Sequence, residues 1–210
     1  MPRIVDHQER RATIAGAACT IIAESGLEGT TLAKVARQAG VTTGAIQHYF
    51  VDKDRLLAAA LERAYQEQLK RMARRAARTP YSLLNVLGEA LPLTSRSRRT
   101  MRVWLAFWSQ AVGGDPWIVA EQRRIHRDWS LQIRQELERA IAAGLLGRSL
   151  NLDTETEDLI AQIRVRALLD SVAFPPRRQR DSLGRYLARL PLPERSRPRE
   201  PHHPRAAIPK

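Results

Sequence analysis

Thr42, Thr43, Gln47 and His48 are the side chains of this chain best suited to reading another molecule. They are short and polar, and they lie within seven residues of one another. The apolar residues of the same stretch, Ile46 and Phe50, fall at helical spacing. A short helix that buries those two turns the polar four outward, where they have no core to serve. Gln47 can bond adenine through two hydrogen bonds, and a threonine can offer its hydroxyl or its methyl to thymine. Gly44 and Ala45 would let the helix backbone lie close to a groove floor. Such a surface suits the major groove of DNA.

The neighbouring elements are the ones such a reader needs. Thr31 can N-cap a helix whose apolar side is Leu32, Val35, Ala36 and Ala39. Gly40 supplies a left-handed C-terminal stop. Val41 re-enters the core, and either Thr42 or Thr43 caps the second helix, which runs to about Tyr49. Two short helices about a Gly-containing turn are a helix-turn-helix, which implies DNA binding. Thr31, close to a helix start that favours anions, is a candidate phosphate contact.

Amphipathic helix periodicity covers nearly all of the remaining chain, and no strand pattern persists. A first helix is expected over 8–25, with Ile14, Ala18, Ile21 and Ile22 inward and Gly26 as its stop. Asp52 caps a fourth helix through Leu56, Leu57, Leu61 and Tyr65 to about Ala77. Pro80 opens a fifth, to Leu91, where Pro92 bars extension. A sixth spans 97–112, and Asp115 with Pro116 begins a seventh that ends before Gly144. Asp153 or Thr154 caps an eighth, to about Ala173, and Pro175-Pro176 precede a ninth, to about Leu190. From Pro191 the chain is rich in proline and arginine with almost no large apolar residue, so residues 191–210 are expected to be disordered.

Composition narrows the function classes. The 210 residues carry 35 Lys and Arg against 22 Asp and Glu, a formal charge of +13 that favours an anionic partner. The charge is spread along the whole length, so the helix-turn-helix carries the argument for DNA and the total adds little. Cys19, the single cysteine, permits no intrachain disulfide and sits among Ala17, Ala18 and Ile22 as a small hydrophobe. No apolar run reaches the roughly 18 residues of a membrane span, and the N-terminus has no secretory pattern, so a cytoplasmic protein is expected. There is no Gly-rich phosphate loop, no paired metal ligand and no nucleophile beside a base. His126 reads as part of a solvated face, and the His202-His203 pair is too isolated for a metal. An all-α enzyme and a partner-binding helical protein that no longer reads DNA are the competing classes. No cofactor is expected.

The linked set Ala36, Gly40, Val41, His48-Tyr49-Phe50 and Lys53, in register with the Ile14–Ile22 helix, resembles the TetR family of bacterial repressors. The resemblance is dense over residues 9–60. It implies an all-α, nine-helix fold: a helix-turn-helix head (1–55), a five-helix ligand-binding and dimerisation body (56–190), and the tail. The fourth helix would join head to body. By this resemblance Thr42, Thr43, Gly44, Ala45, Gln47 and His48 match the base-reading positions, and Tyr49 and Lys53 match phosphate contacts. For Tyr49 a second reading stands beside that one, in which its ring staples the head together.

The body concentrates its aromatics. Trp104, Trp108, Trp117 and Trp129 are all the tryptophans of the chain, and Phe107 joins them in the stretch MRVWLAFW. Trp104, Phe107 and Trp108 share a helix face, an arrangement that by itself reads as core. MRVWLAFW is similar to the choline-responsive, betaine-pathway branch of the family, in which helices at these positions enclose an inducer cavity. The resemblance therefore implies a cavity lined by Trp104, Phe107, Trp108, Trp117 and Trp129. A quaternary ammonium or another flat hydrophobic inducer would bind there, with Glu121 or Asp128 as the carboxylate for a cation. It also implies a homodimer on a palindromic operator, with Leu159, Ile163, Val165, Leu168, Leu169, Leu187 and Leu190 as the apolar seam. One departure falls in that seam: Ala161-Gln162 stands where related chains carry Asp-Gly, and Arg164 and Arg166 lie beside it.

Overall fold

The computed structural model describes residues 3–172 and 176–193. Among them the chain forms nine helices and no strand: α1 (Arg3–Ser25), α2 (Leu32–Ala39), α3 (Thr43–Tyr49), α4 (Lys53–Ala76), α5 (Leu83–Gly88), α6 (Ser95–Val112), α7 (Pro116–Ala142), α8 (Leu152–Val172) and α9 (Pro176–Leu187). Most boundaries are set by side chains that satisfy the free N–H groups of a first turn. Thr31 accepts from the Lys34 N–H, Asp52 from Arg55, and Asp115 from Trp117, with Pro116 at the first helical position. Thr94 and Ser97 cap each other's backbone at the start of α6. Gly40 ends α2 at φ 67°, a left-handed conformation that glycine adopts without strain.

Several starts differ from the sequence expectation, with α1 beginning at Arg3 instead of residue 8 and α6 at Ser95 instead of 97. Residues 80–82 are not helical, because Ser82 rather than Pro80 caps α5. The α8 cap is Asn151, whose side-chain oxygen accepts from the N–H groups of Asp153 and Thr154 and so moves the boundary ahead of both expected caps. The expected disorder of the tail concerns residues that lie mostly outside the described ones. Of its first three, Pro191 accepts the Gly147 N–H through its carbonyl at 2.7 Å.

A continuous apolar cluster runs the length of the molecule. At one end α1 packs on α2 and α4, burying Ile14, Ile22, Val35, Ile46, Phe50 and Leu61. At the other, α6, α7 and α8 pack together around Phe107, Ile133, Leu137 and Leu159, all without measurable exposure. The 24 residues of α4 belong to both ends: Leu56, Leu57 and Leu61 lie in the first, and Tyr65, Gln68 and Met72 are buried farther along. No helix among the described residues is long and apolar enough to cross a membrane.

Candidate DNA-reading surface and ligand cavity

The seven residues of α3 are held from one side only. Ile46 is fully buried and Phe50, its C-cap, is 3 % exposed, with the Arg11 guanidinium 4.9 Å above the Phe50 ring. Thr42 settles the choice of cap by accepting the Ala45 N–H at 3.1 Å. On the other side Thr42, Thr43, Gly44, Gln47 and His48 are exposed, and Ala45 is half-buried between the two sides. The structure therefore brings the base-reading candidates onto one open surface.

Three flanking candidates sit around it. Thr31 is exposed at the start of α2, and Lys53 is exposed at the start of α4 with no ion-pair partner among the described residues. Tyr49 is half-buried, its ring 4.7 Å from that of His7 on α1 and 5.3 Å from that of His48. Those contacts staple α3 to α1, as the second reading of Tyr49 expects. They place its ring beside the reading surface.

In the body, α4, α6, α7 and α8 converge on a cavity. Its space free of protein atoms is about 460 Å³, counting the opening to solvent. Tyr65 and Gln68 come from α4, Met101, Trp104 and Trp108 from α6, Gln122, Ile125 and Trp129 from α7, and Ile163, Arg164 and Ala167 from α8. The Tyr65 and Trp104 rings meet edge to face, and Trp104 and Trp108 tilt together, each pair 6.3 Å apart. Burial, with Asp128 and Glu62 nearby, pushes the Tyr65 hydroxyl up to about 12. That phenol therefore stays neutral and keeps its donor.

The polar groups of this cavity form a directed set. Trp108 Nε1 donates to Gln122 Oε1 at 3.1 Å, so the Gln122 amide turns its NH₂ the other way. That Nε2, like Trp104 Nε1, is buried without a hydrogen-bond partner. The Arg164 guanidinium lies 5.9 Å from the Trp108 ring centre, and its Nη2 is 2.9 Å from His126 Nδ1. Burial lowers the Arg164 pKa, and the Glu157 charge partly offsets this. His126 Nε2 in turn faces Glu157 at 3.6 Å. His126 thus bridges two charged groups instead of lying on a solvated face.

Four of the expected lining residues fall elsewhere. Phe107 is fully buried and meets the half-buried Trp117 edge to face at 6.4 Å, so the pair clamps α6 to α7 away from the cavity. Glu121 and Asp128 turn instead to Arg124, at 2.6 and 3.0 Å, and Arg124 also bridges to Glu62 of α4 at 2.7 Å. Arg124 thus holds both carboxylates, with Glu62 as a third on the same guanidinium, and neither Glu121 nor Asp128 lines the cavity. Conversely Tyr65, Gln68, Gln122 and Arg164 were not singled out as lining. Only the spacing of Gln122, Ile125 and Trp129 along α7 signals that they share a face.

The expected dimer seam divides in the same way. Leu159, Ile163 and Leu190 are no more than 9 % exposed within one protomer, so they belong to its own core. Leu187 is half-buried. Val165, Leu168 and Leu169 are 54, 46 and 40 % exposed along α8, and Ala161 is exposed with them. Gln162 accepts from the Arg166 guanidinium, which also reaches Ser182 of α9.

Comparison with known proteins covers both regions of the chain. Residues 14–60 match the family of bacterial regulatory proteins of the tetR type, and residues 81–191 match the C-terminal region of BetI-type transcriptional repressors. The chain is 37 % identical over 150 residues to the HTH-type transcriptional regulator BetI of Burkholderia cenocepacia, spanning 68 % of this chain and 77 % of the relative. Among solved structures it is similar to a TetR-family regulator from Rhodococcus sp., with a TM-score of 0.74 and 23 % identity over 86 % of this chain and 97 % of that one. A regulator from Saccharomonospora viridis, solved in complex with choline, has a TM-score of 0.73 at 20 % identity over 87 % and 97 % of the two chains. Likenesses at that identity establish the fold. The family matches establish more: this chain belongs to the TetR family with a BetI-type C-terminal region, and it is a ligand-responsive DNA-binding regulator, not an enzyme.

Proposed function

We propose that the chain acts in the cytoplasm as a homodimeric repressor. Its two α3 helices would read the halves of a palindromic operator until a small molecule enters the α4–α6–α7–α8 cavity. The observation that carries this reading is the one-sided packing of α3, which leaves Thr43, Gly44, Gln47 and His48 exposed together on the side away from the core. Residues 1–55 would form the reading domain and 56–190 the domain that binds ligand and pairs the protomers. The exposed stripe Ala161, Val165, Leu168 and Leu169 supports pairing through α8, because an apolar stripe of this kind is covered in a C2 dimer. A dimer supplies two heads at the half-site spacing that palindromes require.

Coupling would run through α4, which contributes Tyr65 and Gln68 to the cavity and begins at Lys53 beside the DNA surface. Induction requires the ligand to bind more tightly to a head spacing that no longer fits the operator. A quaternary ammonium inducer is a second reading. The aromatic walls Tyr65, Trp104, Trp108 and Trp129 favour it, since a desolvated cation over an indole face gains about 2 kcal/mol. The choline held by the Saccharomonospora viridis regulator points the same way.

Footprinting on the DNA that flanks the gene, at near-physiological salt, tests the reading. A protected palindrome is the expected result. Diffuse protection that fades with added salt would mean that the positive charge alone drives binding, and the operator-reading proposal would fall.

A further inference from the structure

The hydrogen-bond inventory of the cavity distinguishes between classes of inducer, given that this cavity is the regulatory site. Two of the side chains that line it each hold a buried, unpartnered donor atom, Trp104 Nε1 and Gln122 Nε2. Gln122 cannot flip to offer oxygen without losing the Trp108 bond. Among the described residues the one charged side chain in the lining is Arg164. Arg164 already covers the Trp108 face, so that indole holds a cation before any ligand arrives. A quaternary ammonium head would meet this guanidinium at close range and can accept from neither orphan donor.

We infer that the inducer is an anion, a carboxylate on a compact, flat apolar body. Its oxygens accept from Trp104 Nε1, Gln122 Nε2 and the Arg164 guanidinium, while Met101, Ile125 and Trp129 hold the apolar part. Charge-assisted bonds to an otherwise unpaired, buried donor set are the strong ones. They appear only when an acceptor enters, and they switch the protein to the extent that one head spacing aligns the three donors better than the other. The Glu157–His126–Arg164 chain then acts as support, fixing the guanidinium through its Nη2 and leaving its other N–H groups for the ligand.

Isothermal titration of the full-length protein with benzoate and phenylacetate, against benzyl alcohol, choline and benzyltrimethylammonium, tests this directly. Saturable binding of at least one carboxylate, about tenfold or more tighter than benzyl alcohol and with no binding of the two cations, is the expected pattern. Gln122→Glu keeps the Trp108 contact but replaces the donor with a negative charge. It should weaken the carboxylate by roughly 10- to 100-fold and admit benzyltrimethylammonium. Arg164→Gln should weaken the carboxylate to a similar extent, and the near-isosteric Gln122→Glu carries the test if Arg164→Gln fails to fold. Tighter binding of the cations to the wild-type protein, no saturable carboxylate binding, or indifference of the carboxylate to Gln122→Glu would each overturn the inference. An intact operator footprint without carboxylate binding defeats this inference alone, whereas carboxylate binding without a footprint defeats only the repressor reading.

Discussion

The two ends of this molecule carry function in opposite ways. Around α3 every local backbone need is met: Thr42 caps it, Ile46 and Phe50 anchor it, and what remains unused points out to solvent. Around the cavity the unused groups point inward, with Trp104 Nε1 and Gln122 Nε2 held out of water and unpaired. The outward site gives nothing up while it waits, because water satisfies Gln47 and His48 until DNA displaces it. The inward site stores an unmet demand that only a suitable ligand relieves. A reader that must slide over many sequences benefits from the first arrangement, and a switch that must reject most metabolites benefits from the second.

The comparison can be broken first at the anchor of the outward site. Ile46→Ala deletes fully buried atoms beneath α3 and should cost about 2–4 kcal/mol of stability by chemical denaturation, with DNA binding reduced in step. A cost near zero would show that α3 is not held from beneath. Next comes the outward surface itself. Gln47→Ala should lose about 1–3 kcal/mol of discrimination between operator and base-substituted DNA, measured by competition binding. Lys53→Ala should instead weaken all DNA about equally and flatten the salt dependence by about one ion. If the two variants behave alike, the division into base and phosphate contacts is wrong.

The exposed stripe of α8 offers a third test. Val165→Asp should dissociate the dimer in sedimentation while the protomer keeps its helicity, since Val165 is 54 % exposed within one protomer. Leu159→Ala, two turns earlier and fully buried, should lower stability by about 2–5 kcal/mol instead. The smallest effect concerns Cys19, whose thiol donates to the Ala60 carbonyl and is pushed by burial from 9.0 up to about 12. Because the folded state favours the protonated thiol, its contribution to stability is complete below pH 9.0 and is lost as pH rises from there toward 12. Iodoacetamide at pH 8 should therefore leave the native thiol intact and modify the denatured one.

The outward site was legible in the sequence because each of its determinants is local. Thr31, Gly40 and Thr42 act on the helix ends beside them, and the spacing of Val35, Ala36 and Ile46 declares which sides are inward. The inward site was only half legible. The aromatic cluster drew attention to α6 and α7, yet its residues serve two purposes that spacing cannot separate. Trp104 and Trp108 line the cavity, while Phe107, on the same face, clamps Trp117. Arg164 and Gln122 gain their meaning from convergence across α6, α7 and α8, which no window along one helix contains. The α8 helix shows the same limit, with apolar residues all round: Leu159, Ile163 and Ala167 face inward, Val165, Leu168 and Leu169 outward. Glu121 and Asp128 failed as ligand carboxylates because Arg124, between them on α7 and within reach of Glu62, takes both.

The unbroken length of α4 has a mechanical consequence. Lys53 and Tyr65 are 12 residues apart on one rigid rod, about 18 Å along its axis. Pivoted at the cavity, that rod is a lever: a tilt of about 5° would sweep its DNA end through about 1.6 Å. A hydrogen bond tolerates a change of only about 0.5 Å before it fails. An adjustment too slight to disturb the packing of Tyr65 would thus be magnified at the phosphate end into loss of grip.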